Sequence, residues 1–247
     1  MTNTFQQAGD PEKTIVITGS TKRLGKEIAL AVAEAGYSVI IHTSRSIPDA
    51  KNLVSQINGN GGDAKFISAN FLDPREALKV FSDAFNNETS LYGLINNASI
   101  FEPGLFMETT RESWESHFSI NLTTPFLISK EFARCVGEKK GRIINMLDWR
   151  ALRPGKDHFA YTISKSGLAA MTEAMALALA PNITVNGLAL GAILPPLDGG
   201  SGSILKQVPQ GRWASIEEVT DSVLFLLSGP EYITGEIIHI DGGRHLV

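Results

Sequence analysis

One cysteine, Cys135, stands among 247 residues. A single thiol forms no internal disulfide, CxxC redox pair or zinc knuckle. It points to a reducing compartment, the cytoplasm, and Cys135 reads as a small buried hydrophobe without a chemical role. The five histidines show neither HxxxH nor HExxH spacing, so no metal site is expected. GxSxG and GxxxxGK[ST] are also missing, which argues against an α/β-hydrolase and a P-loop nucleotidase. Met1–Lys13 lacks the apolar core of a signal peptide. The most apolar region, Gly167–Leu197, contains Glu173, Asn182 and three prolines, so no membrane span is expected. Excess positive charge is lacking too. With 22 Lys and Arg against 26 Asp and Glu the net charge is −4, which disfavours nucleic acid as a partner.

What is present suits a folded α/β chain. Hydrophobic residues make up 43% and charged residues 19%. Short apolar runs predict strands at Thr14–Ile17, Ser38–Thr43, Ala64–Ala69, Leu91–Asn96, Arg142–Met146, Ile183–Leu188 and Glu236–Ile240. Helical spacing predicts helices at Leu24–Ala35, Pro48–Ile57, Pro74–Phe85, Arg111–Val136, Phe159–Ala180 and Ile216–Leu227. Asp73 is the expected N-cap before Pro74. Alternation of this kind implies right-handed βαβ crossovers. The expectation is one doubly wound domain over residues 1–247, a seven-stranded parallel sheet flanked by helices. The Pro/Gly-rich stretch 191–211 follows the sixth strand, at the carboxyl edge where such sheets bind ligands.

The first strand runs into Thr18-Gly19-Ser20-Thr21-Lys22-Arg23-Leu24-Gly25 and then a helix. Glycines let a backbone approach a pyrophosphate, and a helix N-terminus offers free N–H donors and a positive dipole end. The spacing is not GxGxxG, and such a turn serves equally well as a plain connection. The second strand ends in Thr43-Ser44-Arg45-Ser46, with no acid before Asp49. A carboxylate there would hold ribose hydroxyls and repel a 2′-phosphate; Arg45, the hydroxyls and Lys22 would attract one. The pattern favours NADP(H) over NAD(H). Tyr161 and Lys165 share one helix face at i,i+4. A nearby ammonium would lower the phenol pKa and make Tyr161 an acid–base group beside a hydride donor. The same pair also occurs on ordinary helix surfaces.

Taken in order, Thr18-Gly19-x3-Arg23-x-Gly25, Asn96-Asn97-Ala98, Asn121, Tyr161-x3-Lys165 and Asp241-Gly242-Gly243 resemble the short-chain dehydrogenase/reductase family over nearly the whole chain. The resemblance implies a homotetramer with Tyr161 as catalytic acid–base. Lys165 would lower its pKa and hold the nicotinamide ribose, Asn121 would support Lys165, and Asn97 would line the cofactor channel. The remaining cofactor-facing positions would be Leu24, Asn70, Phe71, Ala98 and Gly191. Where the family has a serine thirteen residues before the tyrosine, this chain has Asp148, which cannot donate when ionised.

Asp148 occurs together with Arg23 of the glycine turn, His42…Arg45-Ser46 and Asn97-Ala98-Ser99-Ile100-Phe101, a combination similar to the pteridine reductase branch. That likeness implies Arg23 and Ser99 touching both ligands and Phe101 stacking on a pterin, with Leu194 on the substrate-facing loop and Trp149 near the pocket. The reaction implied is NADPH-dependent reduction of a C=N bond in a pterin or folate. Two alternatives stay open: a carbonyl or 3-oxoacyl reductase or alcohol dehydrogenase of the same family, and a non-catalytic NADPH-binding scaffold.

Overall fold

Ile15, Val16 and Ile17 are all fully buried. A strand covered on both faces belongs inside a parallel sheet coated by helices. A computed structural model describes residues 9–194 and 205–247 and places seven strands in one sheet. They are β1 (Thr14–Ile17), β2 (Ser38–Thr43), β3 (Ala64–Ser68), β4 (Leu91–Asn96), β5 (Gly141–Asp148), β6 (Ile183–Leu190) and β7 (Ile237–Ile240). The order is β3-β2-β1-β4-β5-β6-β7 and every pairing is parallel, as expected.

Among the described residues, seven α-helices cover the sheet: α1 (Arg23–Glu34), α2 (Ile47–Gly59), α3 (Pro74–Asn86), α4 (Arg111–Phe118), α5 (Thr124–Val136), α6 (Phe159–Leu179) and α7 (Ile216–Ser228). Local chemistry sets several of their ends. The Asp73 carboxylate accepts from the Arg75 and Glu76 amides, as its place before Pro74 predicts. Ser215 and Glu218 form a reciprocal capping box at the start of α7. The apolar faces of α1, α2 and α7 pack on one side of the sheet around Ile28, Val32, Leu53 and Val223. On the other side α3, α5 and α6 bury Phe81, Phe85, Ile128, Phe132 and Ala176.

Two expectations need correction. The predicted helix Arg111–Val136 is broken by a π turn at Ser119–Thr123, which separates α4 from α5. Pro125 has no N–H for the Asn121 carbonyl, so the α-helical ladder loosens there. The wider turn places the Asn121 side chain inward, fully buried. Cys135 is only half-buried: it packs against the α3–α5 core, with its sulfur beside Arg134 and Glu131. It lies on the α5 flank that meets α3, where Glu131 also accepts from Ser82.

Sequence order reverses direction at β1, which has β2 on one side and β4 on the other. Crossovers on the two sides cover opposite faces, and a crevice opens at the carboxyl ends between them. No helix among the described residues is long and apolar enough to cross a membrane.

Phe81 is the centre of one hemicore: fully buried, 5.3 Å from the His42 ring, 5.8 Å from Phe71 and 5.7 Å from Phe85. Phe81→Ala should lose about 3–5 kcal/mol of stability, read from urea unfolding, through loss of these contacts and the cavity left behind.

Candidate active site

Among the described residues, two adjoining cavities lie at the carboxyl edge of the sheet, between the segments that leave its strands. One, about 620 Å³, is walled by Gly19, Lys22, His42, Ser44, Arg45, Asn70, Phe71 and Ala98. The other, about 1000 Å³, is walled by Phe101, Asp148, Tyr161, Lys165, Gly191 and Leu194. Arg23, Leu24, Asn97 and Ser99 line both, so the cavities meet at the glycine turn. Pro195, Pro196 and Asp198 of the substrate-facing loop lie outside the described residues.

The glycine turn is tied down by its neighbours. Thr18 Oγ1 accepts from the Asn97 and Ala98 amides, both at 2.9 Å. Asn97 Nδ2 donates to the Thr18 and Gly19 carbonyls, so Asn97 braces the turn as well as lining the channel. Gly19 has φ +63°, and a Cβ on Gly25 would stand 2.3 Å from the Gly19 carbonyl oxygen. Only glycine lets α1 begin so close to the turn. Arg23 itself adopts φ 50°, an uncommon conformation for a non-glycine residue and one that recurs at binding sites. Among the described residues no side chain caps the first amides of α1, leaving donors and a positive dipole end at the junction. The cradle therefore fits a dinucleotide diphosphate.

His42, which belongs to the pteridine-reductase-like combination but carries no role there, lines the first cavity. Its Nδ1 accepts from the Gly19 amide at 3.0 Å, and Nε2–H donates to the Ala69 carbonyl at 3.0 Å. Burial pushes its pKa down to about 4, so the ring is neutral and fixed in one tautomer. It also stacks on Phe71, with centroids 4.3 Å apart.

Arg45 lines the first cavity and has no carboxylate partner within 4.0 Å among the described residues. Lys22 differs: its ammonium pairs with Asp49 at 3.0 Å, so the first acid after β2 neutralises part of the charge assigned to this corner. Thr43 and Ser46 do not line the cavity. Thr43 is buried and its hydroxyl accepts from the Ser46 amide at 3.0 Å, which shapes the loop presenting Ser44 and Arg45.

In the second cavity the Tyr161 hydroxyl donates to Asp148 Oδ2 at 3.0 Å. The other oxygen of Asp148 accepts from the Arg150 amide at 2.8 Å. The expected Tyr161–Lys165 interaction is replaced. The Lys165 ammonium donates to the Met146 carbonyl at 2.7 Å. Burial and the adjacent Asp148 carboxylate hold the Tyr161 pKa well above its ordinary value, the reverse of what an ammonium partner would do. The phenol is held protonated. Burial brings Lys165 down to about 8, with Asp148 opposing.

Asn121 supports the loop after β4 instead of Lys165. Its Oδ1 accepts from Ser99 Oγ and the Ile100 amide, and its Nδ2 donates to the Ile100 carbonyl and Ser164 Oγ. All its side-chain capacity is used in holding the Ser99–Phe101 segment against α6. Phe101 is half exposed, with one face stacked on His158 at 4.0 Å and an edge-on contact to Tyr161 at 4.6 Å.

The same cavity holds Arg150, Asp157, His158, Gln207, Trp213 and Arg244, none of which the motifs point to. Arg150 pairs with Asp157 at 3.3 Å, and Asp157 accepts from His158. Trp149 does not line this cavity; its ring packs below the Arg150 and Arg244 guanidiniums at 5.2 and 4.3 Å.

Lys165 has a folded pKa lowered from 10.5 to about 8, so between these values the unfolded chain binds the extra proton and stability rises with pH. The charged ammonium facing the cavity is lost over the same range. Dinucleotide affinity should therefore fall above about pH 8, and Lys165→Met should remove that limb in a fluorescence titration.

Comparison with known proteins follows this geometry. A family model described as Enoyl-(Acyl carrier protein) reductase matches residues 19–245. The chain is 35% identical over 240 residues to 3-oxoacyl-[acyl-carrier-protein] reductase FabG of Aquifex aeolicus, covering 94% of this chain and 96% of that one. Among solved structures, FolM alternative dihydrofolate reductase 1 from Brucella canis, complexed with NADP, superposes with TM-score 0.88 at 29% identity, covering 98% and 96% of the two chains. A putative NAD(P)-dependent gluconate 5-dehydrogenase from Beutenbergia cavernae superposes with TM-score 0.90 at 25% identity, covering 98% and 100%. With the site motifs in place and these likenesses spanning almost its full length, the chain belongs to the short-chain dehydrogenase/reductase family.

Proposed function

We propose that the chain is an NADPH-dependent reductase acting on a C=N bond of a pteridine, such as a dihydropterin or dihydrofolate. One observation carries this reading: the Asp148 carboxylate, an acceptor, stands 3.0 Å from the Tyr161 hydroxyl where the family resemblance expects a serine hydroxyl. A ketone oxygen offers only lone pairs and would be repelled by a carboxylate. The amino and ring N–H groups of a pteridine would be welcomed by one. The half-exposed Phe101 supplies an apolar wall for a flat ring. Likeness to the Brucella FolM structures, solved with NADP, supports both the substrate class and the cofactor.

Bound NADPH would supply a hydride to the ring carbon. Arg45 and Ser44 would hold the 2′-phosphate, and the uncapped start of α1 the diphosphate. Lys165 would face the nicotinamide ribose. Tyr161, held protonated, would pass its proton to the ring nitrogen, completing a two-electron reduction of C=N to CH–NH. Asp148 would orient Tyr161 and accept from the substrate. A homotetramer in the cytoplasm belongs to the same reading.

The second reading is a 3-oxoacyl or other carbonyl reductase, favoured by the 35% identity to the Aquifex enzyme. NADPH oxidation with dihydrobiopterin and dihydrofolate, run beside a panel of ketones, separates the two. Pterin turnover with inert ketones is expected, and the reverse result rejects the proposal. Tyr161→Phe should bind NADPH normally yet lose about 10²–10⁴-fold in turnover. Arg45→Ala should weaken NADPH binding by about ten-fold or more and leave NADH binding unchanged, since one charge-assisted contact to phosphate is lost.

A further inference from the structure

Arg244 sits just after Gly242 and Gly243, whose φ values of +62° and +84° fold the chain back over the sheet edge. The side chain is more than nine-tenths buried, at 8% exposure. Its Nη2 donates to the neutral Gln207 side chain at 2.9 Å, and its plane lies over Trp149. Nε is buried with no hydrogen-bond partner. Among the described residues no carboxylate comes within 4.0 Å of this guanidinium, whereas its neighbour Arg150 is paired with Asp157. Burial and the nearby Arg150 charge both press on its ionised form.

Asp148, Asp157 and Asp241 favour its charge only from beyond pairing distance, and a buried cation with an orphaned donor and no direct ion pair among the described residues is costly for a fold to keep. Arg244 also faces two spaces at once. It lines the cleft that holds Tyr161 and Asp148, and a side cavity of about 340 Å³ with Trp149, Lys206, Gln207 and Val247. Lys206 adds a second cation to that side cavity. The guanidinium fork matches a carboxylate in two parallel hydrogen bonds, and the Trp149 indole offers a flat apolar surface beside it.

We propose that Arg244 and the side cavity form a subsite for a carboxylate carried at the far end of the substrate, away from the reacting ring. The identity of that ring rests on the pteridine reading above; the subsite itself does not. Together they select a pteridine bearing an aryl-linked carboxylate tail, as in dihydrofolate, over one with a neutral tail, as in dihydrobiopterin.

The test uses the full chain saturated with NADP⁺ and 4-aminobenzoyl-L-glutamate as probe, followed by tryptophan fluorescence and calorimetry. The unmutated protein is expected to bind it, Arg244→Met to bind at least ten-fold more weakly, and Lys206→Met about three-fold more weakly. A structural cation would make Arg244→Met less stable. A cation kept for binding leaves the urea midpoint unchanged or higher, which is the result expected. Equal probe affinity in all three proteins, or no binding to the unmutated one, overturns the proposal. Turnover reads the pteridine reading separately. If dihydrofolate and dihydrobiopterin are both inert while the probe still binds through Arg244, the subsite stands and the pteridine reading falls. If both are reduced and Arg244→Met raises KM equally for each, the subsite falls.

Discussion

Parallel strands covered on both faces can release their chain only at the two sheet edges, and at the carboxyl edge every loop begins with its strand pointing the same way. Gly19, Ser44, Asn70, Asn97, Asp148 and Gly191 each stand at or just beyond the end of a different strand. That constraint, imposed by burial of the apolar strands, brings together residues far apart in sequence. The edge is then locked by polar bonds that cross it. Thr18 and Asn97 join the turns after β1 and β4, and His42 joins the glycine turn to the end of β3. Asn121 ties the Ser99–Phe101 segment to α6. With these turns held from inside, the cavity walls are built before any ligand arrives, which lowers the entropy cost of binding.

Electrostatics divides the crevice. The first cavity carries Arg23, Arg45 and the uncapped helix start, and suits a polyanion despite the net −4 of the chain. The second cavity sets each charge against a polar partner: the Asp148 carboxylate against the Tyr161 hydroxyl, Arg150 against Asp157, and Lys165 against a carbonyl. In the low dielectric there, each charge acts strongly on its neighbours. A phenol beside a carboxylate becomes a reluctant acid that keeps its proton until a better acceptor arrives. This follows from Asp148 occupying the position where a serine would leave the tyrosine unopposed.

Much of the fold was legible because it rests on local rules. β-branched runs marked the strands, Asp73-Pro74 marked the start of α3, and glycine clusters marked turns. The break within Arg111–Val136 was less visible. Its cause is one missing N–H at Pro125, and a proline in a helical pattern signals a break without showing that the break is a π turn that buries Asn121. Site residues carried by short motifs, such as Gly19, Tyr161 and Asp148, were readable for their residue type and spacing. Arg150, His158 and Arg244 were not, since single charged residues near turns look the same whether they face solvent or a cleft.

By itself the sequence determined the alternation of strand and helix, the glycine turn, the shared helix face of Tyr161 and Lys165, and the carboxylate at Asp148. Those depend on side-chain volume, backbone freedom and periodicity, which act over a few residues. Only the tertiary structure decided the partners: that Tyr161 meets Asp148 and not Lys165, that Asp49 meets Lys22, and that Arg244 is buried with an orphaned Nε and no direct ion pair among the described residues. Partnership depends on which strand ends converge at the sheet edge, and that convergence is a property of the packed sheet as a whole.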